Sequence, residues 1–86
     1  MNPTFMSLVL GLAQQAEGAL RGELPPGAER LPGANPRAMA QALIDTLTML
    51  DEKTRGNLLP DEAKLLKEAL TALRFRFVQA GGAPTQ

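Results

Sequence analysis

The stretch from Ile44 to Leu59, I-D-T-L-T-M-L-D-E-K-T-R-G-N-L-L, constrains this chain more than any other. Its first half carries apolar residues at helical spacing, and Lys53 and Arg55 stand where the negative end of a helix falls. Gly56 follows, the residue type that leaves a helix with positive φ at least cost, and Asn57 tolerates similar geometry. Leu58 can then fold back on the last turn in a Schellman arrangement. Pro60 has the φ of a first helical position, and Asp61 and Glu62 suit the positive end that begins there. A connector this short joins two helices as an antiparallel hairpin. The fold class that follows is all-α: a three-helix chain with a C-terminal antiparallel helical hairpin, part of an oligomeric helical bundle.

The spacing predicts helix two from about Pro36 to Arg55, started by Asn35-Pro36. Met39, Leu43, Leu47 and Leu50 form its central stripe, flanked by Ala40, Ala42, Ile44, Thr46 and Met49. Arg37, Gln41, Asp45, Thr48 and Glu52 fall on the far side. Helix three is predicted from about Pro60 to Gln79, with Leu66, Leu70, Leu73 and Phe77 as a coiled-coil-like seam. Leu65, Ala69 and Ala72 broaden one edge of it. Phe75 and Val78 lie outside the seam, placed to cover a loop or to meet another subunit.

Asn2-Pro3 opens helix one, expected from about Pro3 to Arg21. Phe5, Leu8, Val9, Leu12, Ala16 and Leu20 make one stripe, and Met6, Leu10 and Ala13 widen it to roughly 200° of arc. One small core uses less than that, so this helix is expected to be packed on two sides. Thr4, Ser7, Gly11, Gly18 and Gly22 form the opposite, small-residue face. Either its glycines are tolerated in solvent at about 1 kcal/mol each, or they admit another backbone at close range. Residues 22–35 read as a loop, because three prolines and three glycines preclude regular structure. That loop is a connector or a strap pinned by Leu24 and Leu31, and it lacks the P-x-x-P spacing of a ligand for a proline-binding domain. Residues 80–86 read as a frayed tail.

Composition narrows function by exclusion. Eighty-six residues make a single domain near the small end of what folds alone, and a second copy would help to cover its apolar surface. Nine basic and nine acidic residues cancel, so no overall field draws the chain to nucleic acid or anionic lipid. The absence of Cys fits the cytoplasm and removes thiol chemistry; the absence of His removes imidazole bases and the commonest zinc ligands. A magnesium or manganese site would have to be built from carboxylates, yet Asp45 and Glu52 are two helical turns apart, about 10 Å. No metal, cofactor or catalytic residue is therefore expected, and the chain is read as a non-enzyme. The apolar run from Phe5 to Ala13 is too short for a bilayer and has no Lys or Arg before it, so it reads as helix core, not membrane span or secretory signal.

Within the central stretch, Lys53-Thr54 before Gly56 invites comparison with a phosphate loop. The order is wrong, because such a loop places its glycines before the Lys and opens a helix. Lys53 closes one, where carbonyls repel an anion. Asp45 faces outward beside Gln41, Thr48 and Glu52, either solvated or paired with a cation on a neighbouring chain or an unidentified protein partner. Thr54 points to the core side and needs a carbonyl one turn back. Asp45, Lys53, Thr54, Gly56 and Asn57 are the candidate interaction residues, and the last four are explained mostly as turn chemistry.

The pattern I-D-x-L-x-M-L-x-x-K-T-x-G-N-L, carried by Ile44, Asp45, Leu47, Met49, Leu50, Lys53, Thr54, Gly56, Asn57 and Leu58, resembles a family of small bacterial proteins known only as a domain of unknown function. An apolar first helix from Phe5, a Pro/Gly loop and a Leu-rich last helix extend the likeness over most of the chain. The resemblance implies an all-helical bacterial protein and no activity. Members tend to carry Thr or Ser before the proline; here Leu59 stands there, which breaks one side of a capping box at a cost of about 1 kcal/mol, with Glu62 kept at the right offset. Packing of Leu59 is expected to recover part of that cost.

Two functions remain in view. The first is a structural or protein-interaction module that forms a homodimer through the surplus apolar arcs of helices one and two. The second is a nucleic-acid or ribosome-associated accessory protein, resting on Lys67, Arg74 and Arg76 interleaved with Phe75 and Phe77, with Lys53 and Arg55 at a helix end. Phe77 belongs to the core seam, which weakens the stacking platform this second reading needs.

Overall fold

Each helix begins at a proline. A computed structural model describes residues 2–23 and 35–80, among which α1 spans Pro3–Leu20, α2 Pro36–Lys53 and α3 Pro60–Ala80, with no strand. The loop residues 24–34, including Leu24 and Leu31, and the tail residues 81–86 lie outside the described residues. Asn2 accepts from the Phe5 N–H at 3.0 Å and Asn35 from the Ala38 N–H at 2.7 Å, so both Asn-Pro pairs cap as the sequence leads one to expect.

α1 stops in a Schellman motif. Gly22 has φ +90°, its N–H donates to the Ala19 carbonyl at 3.0 Å, and the Glu23 N–H donates to the Gly18 carbonyl at 2.9 Å. Gly22 is thus the helix stop and not a member of the small-residue face. Gly18 leaves that face too: it is buried, and a Cβ on it would stand 3.3 Å from Glu23 Oε1. A Cβ on Gly11 would meet nothing within 4 Å, so among the described residues no backbone approaches there.

Long-range bonds set the helix directions. Asn2 reaches Glu62 and Glu17 reaches Arg76, which makes α1 and α3 parallel. Arg37 at the start of α2 bonds the Phe77 carbonyl near the end of α3, so these two are antiparallel and form the hairpin. The core between the three helices holds Val9 and Ala16 from α1, Leu43, Ile44 and Leu47 from α2, and Leu66, Leu70 and Leu73 from α3. Phe5, Leu12, Leu20, Met39, Leu50, Leu58 and Phe77 pack around it, half-buried.

Two stripes differ from expectation. On α1, Leu8 is 47 % exposed while Val9, Ala16 and Ala19 are buried. Leu8 sits at the edge of its stripe, about 100° from Val9, and the small side chains at the centre let α2 come close. On α2 the buried set is Ala40, Leu43, Ile44 and Leu47, whereas Met49 is 43 % exposed. This helix lies between two neighbours, so its inward direction falls between them, toward Ala40 and Ile44. On α3 the expected seam holds, with Leu66, Leu70 and Leu73 buried and Phe77 at its rim.

Leu47 has no exposed surface and sits at the centre of the core. Leu47→Ala is expected to cost about 2–5 kcal/mol, a large share of the stability of so small a domain, read from the midpoint of urea unfolding followed by circular dichroism.

Candidate functional site

The central turn is held mainly by local bonds. The Thr54 hydroxyl donates to the Leu50 carbonyl at 2.6 Å, one turn back. Gly56 has φ +86°, and the Asn57 N–H closes the turn on the Thr54 carbonyl at 2.9 Å. That single bond replaces the expected Schellman pair, because α2 ends with Thr54 as its cap instead of continuing to Arg55. Leu58 still folds back against the core. Arg55 lies 3.2 Å from Asp51 on an exposed surface, and Lys53 is exposed. Asp45 is exposed and accepts from Gln41 Nε2 at 2.8 Å, one turn earlier on the same helix. Along α2, Asp45 and Lys53 are about 12 Å apart. The five candidate residues therefore do not converge on one point.

A different carboxylate does join separate parts of the fold. Glu62 is only 5 % exposed. Its Oε1 accepts from the Leu59 N–H at 2.9 Å, the half of the capping box that the sequence retains. Its Oε2 accepts from the Asn2 N–H at 2.6 Å, the cap residue of α1. The bond from Asn2, then that from Leu59, holds the carboxyl below the ordinary glutamate range, against the opposing effect of burial. Leu59 itself is 51 % exposed, so it does not recover the lost cap by packing. The offset of Glu62 from Pro60 was readable as a cap, but its reach to Asn2 depends on α1 and α3 lying parallel, which no local pattern carries.

The arginines proposed for nucleic acid have partners within the chain. Arg76 Nη1 lies 2.8 Å from Glu17 Oε2, and Arg74 Nη2 donates to Thr48 Oγ1 at 2.8 Å. Arg37 stacks 3.8 Å from the centroid of Phe77, a contact worth about 0.5–1 kcal/mol at an exposed site. Among the described residues no three acidic side chains gather where a metal ion would be held, and no helix is long and apolar enough to cross a membrane. The outward side of α3 carries a shallow open groove of about 420 Å³ lined by Lys67, Glu68, Thr71, Ala72 and Phe75.

Comparison with known proteins places the chain in a family described by an unknown function. A family model described as a domain of unknown function (DUF1844) matches residues 2–79. No curated protein and no solved structure matches the chain.

Glu62 has a lowered folded-state pKa, so its contribution is present above the unfolded glutamate value of 4.5 and is lost as pH falls through the lower folded value. Glu62→Gln turns an amide NH₂ toward one of the two donors. It is expected to lower the melting temperature at pH 7 and to flatten the loss of stability on acidification below that value, both read by thermal melts across pH. Gly56→Ala puts a Cβ on a backbone of φ +86° and is expected to cost about 1–2 kcal/mol in urea unfolding, with the open space around it giving no further clash.

Proposed function

The chain belongs to the DUF1844 family, and from that premise we propose that it is a non-enzymatic protein-interaction module of the bacterial cytoplasm that works as a homodimer. The observation that carries this reading is apolar surface left outside the core. Leu8, Leu10, Met49, Leu59, Phe75 and Val78 are 43–64 % exposed, on a domain whose buried core is small. Single exposed apolar residues are ordinary. Phe75 and Val78 share one side of α3, and it is contiguous apolar surface that marks an interaction site. The want of His and Cys, together with acidic groups that stay apart among the described residues, supports a role outside catalysis. The bacterial setting is what the motif resemblance implies, and a chain free of Cys suits the cytoplasm.

Size-exclusion chromatography with light scattering at micromolar concentration is expected to return twice the 9.2 kDa chain mass. A single monomeric species would reject the homodimer.

A further inference from the structure

We propose that the outward side of α3 is the seam of the homodimer and that two copies of this helix pack across it antiparallel. The inference rests on the self-association proposed above and names its surface.

α3 carries two stripes of coiled-coil spacing. The inner one, Leu66, Leu70, Leu73 and Phe77, is spent on the core. The outer one, Lys64, Glu68, Thr71, Phe75 and Val78, repeats steps of four, three, four and three on the opposite side, and all five residues are exposed. The other exposed apolar residues make no such stripe. Leu8 and Leu10 point about 160° apart on α1, and Met49 stands alone on α2. The surplus apolar arcs of α1 and α2 thus come down to single side chains, whereas α3 keeps two neighbouring ones, Phe75 and Val78, in its outer row.

The groove has the form of a socket. Glu68, Thr71, Ala72 and Phe75 stand at i, i+3, i+4 and i+7, the frame of four residues that receives one knob from a facing helix. Phe75, 64 % exposed, is also the largest knob this face offers. An antiparallel pair with its two-fold axis level with Leu73 lets Phe75 of each copy enter the socket of the other. The two rings then lie about 6 Å apart along the helices, within the range of offset ring contacts. At that register Gln79 of one copy comes level with Lys67 and Glu68 of the other, where its amide can donate to the carboxylate and accept from the ammonium.

Charge selects the direction. A parallel pair would set Glu68 against Glu68 and Lys64 against Lys64, and the antiparallel pair opposes neither like charge. With nine charges of each sign, two copies meet without overall repulsion.

Light scattering over a concentration series, run on the full chain, tests the surface. Phe75→Glu is expected to weaken self-association by about tenfold or more at an unchanged helical signal, while Leu8→Glu and Met49→Glu leave it intact. The absence of Cys allows single spin labels at Lys64→Cys and at Gln79→Cys. The antiparallel register sets the two Gln79 labels about 18 Å apart along the helices and the two Lys64 labels about 27 Å. Equal short separations at both positions would overturn the antiparallel seam. A dimer that survives Phe75→Glu and is lost in Leu8→Glu or Met49→Glu would overturn the seam and leave the homodimer standing. A Phe75→Glu chain that melts earlier yet stays dimeric would show this face covered by its own subunit, and would overturn the seam as well. A wild-type monomer throughout would remove both.

Discussion

A single carboxylate lies between two helix N-termini and ties the start of α1 to the start of α3. α1 and α3 run parallel, so their positive ends come together at one end of the molecule. Each end carries roughly +0.5 of a charge, and side by side they repel. Glu62 brings one full negative charge to the place where the two ends meet, with an oxygen on the cap N–H of each helix. One residue therefore ends the hairpin turn, starts α3 and docks α1. At the far end Arg76 and Glu17 join the same two helices, but on an exposed surface where an ion pair contributes about 0–1 kcal/mol. The buried link at the N-termini, with both oxygens satisfied, is the one that sets the register of α1.

The small side chains complete what Glu62 begins. With α1 held at its start, Val9, Ala16 and Ala19 present little volume toward the hairpin, and Ala40 answers from α2. Short side chains on facing helices let the backbones approach, which puts the larger residues at the rim. This is why Leu12, Leu20, Met39 and Leu50 are half-buried and why Leu8 and Leu10 stand out in solvent. A core of eight clustered residues buries little apolar area for its chain length, and the chain entropy it must offset does not shrink with it.

The elements that punctuate the chain were legible from the residues, because their causes are local. Asn2, Asn35 and Pro60 start helices, Gly56 takes positive φ, and Thr54 finds the carbonyl one turn back, each within a window of a few residues. The hairpin followed from a short connector. What escaped was whatever depends on which way a helix faces once two neighbours are present. The expected stripe on α2 holds at Leu43 and Leu47, but its buried side extends to the flanking Ala40 and Ile44, since direction is set by α1 and α3 together. Gly22 looked like part of a face because helical phase was carried one turn too far; its flanking Glu23 gives no local sign that the chain turns back on Gly18. Glu62 was visible as half a cap and invisible as a bridge, for its second partner lies sixty residues away in the sequence.

The central turn and the exposed row on α3 divide the labour of the hairpin. Thr54, Gly56 and Asn57 spend their polar groups or backbone on closing the turn, so their chemistry is accounted for inside the chain. Arg74 and Arg76 are likewise tied to Thr48 and Glu17. Among the described residues, Phe75 and Val78 have no such account. A helix that served only its own core could carry polar residues at those positions at no cost to Leu66, Leu70 and Leu73, which point the other way. Among the described residues these two apolar groups stand exposed on an outward stripe with coiled-coil spacing, and the proposed seam would bury them. That outer stripe is the surface on which the proposed self-association rests, whereas the turn spends its polar groups inside the chain.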